Sequence, residues 1–228
     1  GGKGTFRGKV HVNEGYELYQ VITDFGDALE IFREAIQNSY DEGATEIYIN
    51  VDEKKGLRDD KILTIDIIDN GAGLAKENVA KFFDVANSSK VDDGYIVKPN
   101  KHGYKGHGAK VFFNAKLVQI SSKTKDGECW ASEMVDAVGQ ISEKGELYYS
   151  DTINPSDIGM ELPVEWESGF MVRIISPYYF LSYHNRYKLN HINLRDYCKW
   201  FTLMGTIEIL YNDSIKDQNT VFYLNGVL

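Results

Sequence analysis

The chain has 228 residues, 43% of them hydrophobic, and a formal net charge of −9. This length suits one large domain or one domain with an appendage, and the composition excludes a disordered polymer. The excess of acid argues against a broad phosphate-neutralising surface for nucleic acid, and no apolar run is long enough to span a bilayer. Cys129 and Cys198 lie far apart, without metal-type spacing, and read as two reduced thiols of a cytoplasmic protein. No secretory leader is evident. Gly1-Gly2 reads as an artificial addition, and the abrupt stop at Asn225-Gly-Val-Leu228 as the cut end of a longer chain.

In chain order, Asp27 to Asp41 predicts a helix, because Leu29, Phe32, Ile36 and Tyr40 recur at helical spacing and Gly43 is a fitting stop. "TEIYINVD" alternates, with Ile47, Ile49 and Val51 on one face, and predicts a strand. A polar turn around Gly56 joins it to "ILTIDIID", its expected hairpin partner. Lys76 to Ala86 reads as helical, Asp92 to Lys105 as a long loop of the active-site lid type, and Gly106 to Ala115 as a helix opened by glycines. "KLVQISSK", "ECWASEMV", "ELYYSDTI" and "GFMVRIIS" predict four further strands in a meander. Leu194 to Met204 reads as a helix, followed by strand-like "GTIEILYN" and "TVFYLNG". A composition shift near Ser182 to Asn193 divides the chain into residues 1–182 and a C-terminal portion, 183–228. That portion is either an extension of the first domain or the start of another.

Three polar groupings could carry chemistry. Glu34, Asn38 and Asp41 stand at i, i+4 and i+7 and share one helix face, either a solvated surface or a carboxylate and amide aimed into a cleft. Asp69-Asn-Gly-Ala-Gly73 ends a strand. It is either a plain turn or a carboxylate acceptor facing a cavity, with Gly71 and Gly73 letting a flat ring approach the backbone. Gly103 to Lys110 puts glycines before an expected helix, as a hinge or as an anion cradle of backbone N–H groups. His107, Lys90, Lys105 and Lys110 each have an ordinary surface or packing reading beside a functional one.

Taken in order, these segments resemble the nucleotide site of the GHKL ATPases, which include gyrase B, the ninety-kilodalton heat-shock chaperone, histidine kinases, MutL and the MORC proteins. "REAIQNSYDEGA" resembles the family's Glu-x-x-x-Asn-x-x-Asp box, "DNGAGL" its adenine-binding glycine box and "GYKGHGAK" its second glycine box. "ANSSK" is similar to the lid opening of the MutL, chaperone and MORC branch, and "GFMVRIISP" to the strand that closes the adenine pocket. The resemblance runs from about Asp24 to Pro177, with one departure: Phe170 follows Gly169 where the family usually has a threonine, and Ser168 is a candidate substitute.

The resemblance implies an α+β Bergerat fold, a two-layer sandwich of a mixed, mostly antiparallel sheet with helices on one face. It implies ATP with Mg2+ as ligands, Glu34 as the base that activates water, and Asn38 as the magnesium ligand. Asp69 would accept from the adenine amine. Asp41, Gly71, Gly73, Asn87, Ser89, Lys90 and Lys105 would complete the nucleotide site, with Gly106, His107, Gly108, Ala109 and Lys110 around the phosphates. Asn87 to Lys105 would close over the nucleotide, and ATP binding would bring two copies together as a homodimer. The expected activity is slow ATP hydrolysis acting as a switch. A histidine-kinase phosphotransferase and a non-hydrolysing nucleotide sensor are the alternatives; none of the five histidines sits in a phosphoacceptor context, and Glu34 argues against the sensor.

Overall fold

The computed structural model describes residues 6–10, 22–23, 27–57, 61–83, 111–144, 146–180, 187–201 and 221–226. Its principal elements are β1 (Phe6–Val10), α1 (Glu30–Asp41), β2 (Glu46–Lys55), β3 (Lys61–Asp69), α2 (Val79–Phe83), β4 (Ala115–Lys123) and β5 (Trp130–Val135). They continue with α3 (Ala137–Lys144), β6 (Leu147–Ser150), β7 (Gly169–Pro177), α4 (His191–Phe201) and β8 (Val221–Gly226).

Among the described residues, six strands form one sheet in the order β5-β4-β7-β3-β2-β8. All neighbours are antiparallel except β2 and β8, which run parallel. The predicted hairpin of β2 and β3 is present, in register from Ile47 opposite Asp69 to Lys55 opposite Lys61. Alternation decides which face each strand buries. Ile47, Ile49 and Val51 of β2 and Leu63, Ile65 and Ile67 of β3 point into the core. Phe170, Val172 and Ile174 of β7 continue that apolar surface across the sheet.

Each of the four α-helices named above contributes to this one core: Phe32 and Ile36 from α1, Phe82 and Phe83 from α2, Ile141 from α3, and Leu194 and Cys198 from α4. Burying each such side chain contributes about 1.5–3 kcal/mol, so the helix layer is held chiefly by area removed from water. The opposite face of the sheet is partly covered by a smaller cluster in which Met160 and Leu162 meet Met171. That second covering explains why β7 reads as a nearly continuous apolar run and not as clean alternation.

Several expectations are corrected. The helix expected over Gly106 to Ala115 is instead, in its described part, a single 3-10 turn at residues 111–113, and Ala115 already begins β4. Phe112 and Phe113 in that turn are fully buried, so tertiary packing rather than helix propagation fixes the segment. The helix expected from Lys76 begins as a 3-10 turn, Lys76–Asn78, before α2. β6 does not extend the meander; it pairs with β1 in a separate two-stranded ribbon. Helix α3 was not anticipated, because a glycine and only eight residues left its periodicity weak. The predicted helix at Leu194 starts earlier, at His191. The long loop from Asp92 to Lys105 and the "GTIEILYN" strand lie outside the described residues.

Candidate functional site

Helix α1, the C-terminal end of β3 and the N-terminal end of β7 line a small cleft that is open to one side. Its wall is made by Ala35, Asn38 and Ser39 from the helix, Ile67 and Asp69 from β3, Phe170 and Val172 from β7, and Phe112. α1 stops cleanly beside it: Gly43 takes a φ of 74°, and the Gly43 and Ala44 N–H groups donate to the carbonyls of Tyr40 and Ser39.

Asp69 is the chemical centre. It continues the inward row Leu63, Ile65, Ile67, so strand alternation carries a carboxylate into the position of a core residue. It is only 2% exposed. Ser39 Oγ donates to Asp69 Oδ2 at 2.7 Å, and the Gly71 N–H donates to Oδ1 at 2.9 Å. Burial pushes the carboxyl up to about 6; the Ser39 and Gly71 hydrogen bonds pull the other way, and the nearby Glu42 charge adds to the rise. Each carboxylate oxygen keeps acceptor capacity after these bonds, and the cleft is where a further donor can reach it.

The turn after Asp69 is fastened on every side. Asn70 Oδ1 accepts from the N–H groups of Thr45 and Glu46, both at 2.8 Å, and its amide donates to Thr45 Oγ1. Ser168 Oγ donates to the Gly71 carbonyl at 2.7 Å. Ser122 Oγ accepts from the Leu74 N–H and donates to the Gly169 carbonyl. The two glycines are explained by these neighbours and not by an approaching ring. A Cβ on Gly73 would stand 2.2 Å from the Lys123 carbonyl oxygen, at a φ of 73°. One on Gly71 would press on Asp69 Oδ1 at 2.9 Å and on Glu42.

Asn38 lines the same cleft, and its Nδ2 is the one buried side-chain polar atom among the described residues without a hydrogen-bond partner. Native proteins pair nearly all such atoms, so an orphaned amide in a cleft wall marks a place for a polar ligand atom. Rotating the amide by half a turn would present oxygen instead, the atom type a hard cation takes. Among the described residues no group of three His, Cys, Asp or Glu side chains could hold a metal. A magnesium ion needs few protein ligands when phosphates and water supply the rest, so a single amide fits it.

Glu34 lies one turn before Asn38 on α1 and is not part of the cleft wall. Its Oε1 accepts from Arg33 Nη2 at 3.2 Å, and its side chain is 25% exposed. Asp41 is exposed at the helix end and accepts from Gln37 Nε2 at 2.8 Å. The structure therefore brings Asn38, Asp69 and the Gly71–Gly73 turn together and places Asp41 outside that cluster. Asn87, Ser89, Lys90, Lys105, Gly106, His107, Gly108, Ala109 and Lys110 lie outside the described residues. Ser39 was missed in the sequence; its signal was its position next to Asn38 on the buried side of α1. Phe170, noted as a departure, fills the wall beside Asp69, and Ser168 does not substitute for a pocket hydroxyl because its proton is given to Gly71.

A mixed sheet with helices on one face and a buried carboxylate opening between them is the Bergerat arrangement of ATP-binding domains. Residues 29–159 match the histidine kinase-, DNA gyrase B-, and HSP90-like ATPase family, over more than half of the chain, and the chain belongs to that family. Curated proteins similar to it include the DNA mismatch repair protein MutL of Anaplasma phagocytophilum, 33% identical over 98 residues, which is 43% of this chain and 14% of that protein. The MutL protein of Lactococcus lactis is 32% identical over 99 residues, 43% of this chain and 14% of the relative. That of Borrelia garinii subsp. bavariensis is 28% identical over 134 residues, 58% and 21% respectively. The matched segments thus span only 14% to 21% of these relatives' own length.

Proposed function

We propose that this chain binds ATP with magnesium and hydrolyses it slowly, as a switch whose nucleotide-bound form is a homodimer. The observation that carries the reading is the pair of polar groups in one cleft: a buried Asp69 carboxylate held by two donors, and a buried Asn38 Nδ2 with no hydrogen-bond partner. The carboxylate suits a purine amine, and the amide suits the polar end of the same ligand.

Asp69 accepts from the adenine amine, with Ser39 and Gly71 fixing the direction of its free lone pairs. Asn38 holds the magnesium ion, which when bound neutralises charge on the phosphates. Glu34, one turn along the helix, orients the attacking water and takes its proton. Phosphoryl transfer depends mostly on positioning and charge stabilisation, so one well-placed base is enough. By resemblance, the Gly106–Lys110 segment cradles the phosphates, Lys90 and Lys105 supply countercharge, Asn87 to Lys105 covers the nucleotide, and Asp41, His107 and Ser89 belong to its surroundings. Residues 183–228 are read as an extension of the same domain, because α4 and β8 join its core and sheet. The compartment is read as cytoplasmic; among the described residues no helix is long and apolar enough to cross a membrane.

The test uses γ-labelled ATP and Glu34→Ala. The wild type should release labelled phosphate, whereas the variant should bind ATP with unchanged affinity and lose hydrolysis by about a hundredfold or more, the usual worth of a general base. Label retained on the protein would indicate a phosphotransferase instead, and wild-type turnover in the variant would remove Glu34 as the base. Sedimentation with a hydrolysis-resistant analogue should show a dimer; a monomer at saturating analogue would refute the dimer switch.

A further inference from the structure

The alternation that sends Ile47, Ile49 and Val51 into the core sends Glu46 and Tyr48 to the opposite face of the sheet, away from the helices and the cleft. There Tyr48 lies opposite Tyr223 of β8, and the two rings stack with centroids 4.3 Å apart and planes 7° from parallel. Trp166 reaches the same face from the turn before β7. Its ring lies 6.0 Å from that of Tyr48, and its Nε1 donates to Glu46 Oε2 at 3.1 Å. Trp166 is buried, whereas Tyr223 is 43% exposed. Next to Trp166 on the turn, Val164 and Glu165 are exposed. A stacked cross-strand pair stabilises a sheet by itself, but that does not account for the acids around this one. Burial, then the Glu46 carboxylate, Tyr223 and Glu165 hold the Tyr48 phenol above its usual pKa, so both carboxylates act on the rings. Glu167 of the same turn pairs with Lys125 at 3.5 Å. Among the described residues neither Glu46 nor Glu165 has a Lys or Arg partner.

We propose that this face is a docking surface for an arginine-bearing segment of a partner protein, whose guanidinium lies on the Tyr223 ring with Glu46 and Glu165 as countercharge. Charge complementarity selects the occupant: an aromatic face flanked by acids attracts a cation and repels an anion. Arginine fits better than lysine, because its planar, weakly hydrated group stacks on an aromatic ring and donates to a carboxylate at the same time. A second copy of this chain is the poorer occupant, since Arg33, Arg173 and Arg195 already pair with Glu34, Asp66 and Asp196 of their own chain. The surface lies across the sheet from Asn38 and Asp69, and the proposal stands whether or not a nucleotide occupies the cleft.

The test is fluorescence anisotropy of labelled hexa-arginine and hexa-lysine with the full chain, at about 0.15 M salt, where diffuse attraction is screened. The wild type should bind hexa-arginine at least about threefold more tightly than hexa-lysine. Tyr223→Ala removes the ring and keeps the net charge; it should weaken hexa-arginine about threefold or more and bring it level with hexa-lysine. Glu165→Gln should weaken hexa-arginine about twofold or more. Glu143→Gln, the same charge change on α3 in the helix layer, should not. Glu165 is exposed on a turn, so these two glutamine variants decide the matter if Tyr223→Ala fails to fold. Four results would each overturn the proposal: no hexa-arginine binding, equal binding of the two peptides by the wild type, affinity unchanged in Tyr223→Ala, or the same loss in both glutamine variants. Self-association of the chain without peptide or nucleotide, abolished by Tyr223→Ala, would assign the face to a second copy and overturn it as well.

Discussion

Asp69 occupies an inward position of β3 where its three predecessors are leucine or isoleucine, and it costs stability to stay ionised there. Its folded-state pKa of about 6 lies above the ordinary 3.8. The folded protein therefore holds this proton over a range where the unfolded chain has released it. The resulting stabilisation is complete below about pH 4 and is lost as pH rises through 6. Relative to the non-titrating Asp69→Asn, the nucleotide-free wild type should lose about 2 kcal/mol between pH 4 and pH 7. Denaturant melts of both proteins across that range check this, and a constant difference would refute a buried, raised carboxyl. The same variant should show no thermal stabilisation by ATP, because an amide has one oxygen for the Ser39 hydroxyl, the Gly71 N–H and the base together.

At the scale of elements, the site depends on how closely the turn after β3 lies against β4 and β7. Gly73 touches the Lys123 carbonyl oxygen closely enough that no side chain fits, and its φ of 73° disfavours one anyway. Gly73→Ala should lower stability by about 3 kcal/mol or more, since both backbone strain and a backbone clash must be relieved. Chemical denaturation measures this. A loss under about 0.5 kcal/mol would mean that the turn and β4 separate easily and do not position Asp69 as described. The glycine pair was legible in the sequence, but its cause was not. The pattern Asp-x-Gly-x-Gly fits a ring approaching the backbone as well as it fits strand packing, and only the neighbouring carbonyls distinguish them. The Val111–Phe113 turn was misjudged for a related reason: glycines ahead of it suggested a helix start, while burial of Phe112 and Phe113 was not visible locally.

For the whole molecule, the described residues after position 182 contact the sheet and core in two ways. β8 extends the sheet along β2 from Glu46 opposite Val221 to Val51 opposite Gly226. Leu189, Leu194, Tyr197 and Cys198 are buried in the main core. A chain ending at Phe180 would lose apolar burial on the order of a domain's entire net stability. It should therefore show no cooperative thermal transition by calorimetry. A truncated chain that melts cooperatively near the full chain's midpoint would mark residues 187–226 as a separate unit.

What the sequence determined by itself was local and periodic. Alternation placed β2, strand-like apolar runs placed β3 and β7, helical spacing placed α1, and the order of the Glu34–Asn38, Asp69–Gly73 and Gly106–Lys110 segments pointed to the ATPase family. Only the tertiary structure decided which side chains meet. It joined Ser39 to Asp69, thirty positions further along the chain, left the Asn38 Nδ2 without a partner, committed Ser168 to a carbonyl and set Phe170 beside the carboxylate. Periodicity fixes the face on which a residue lies, because it follows from backbone geometry. Hydrogen-bond partners and wall neighbours depend on strand register and on which segments pack together, and those are set by the whole core at once.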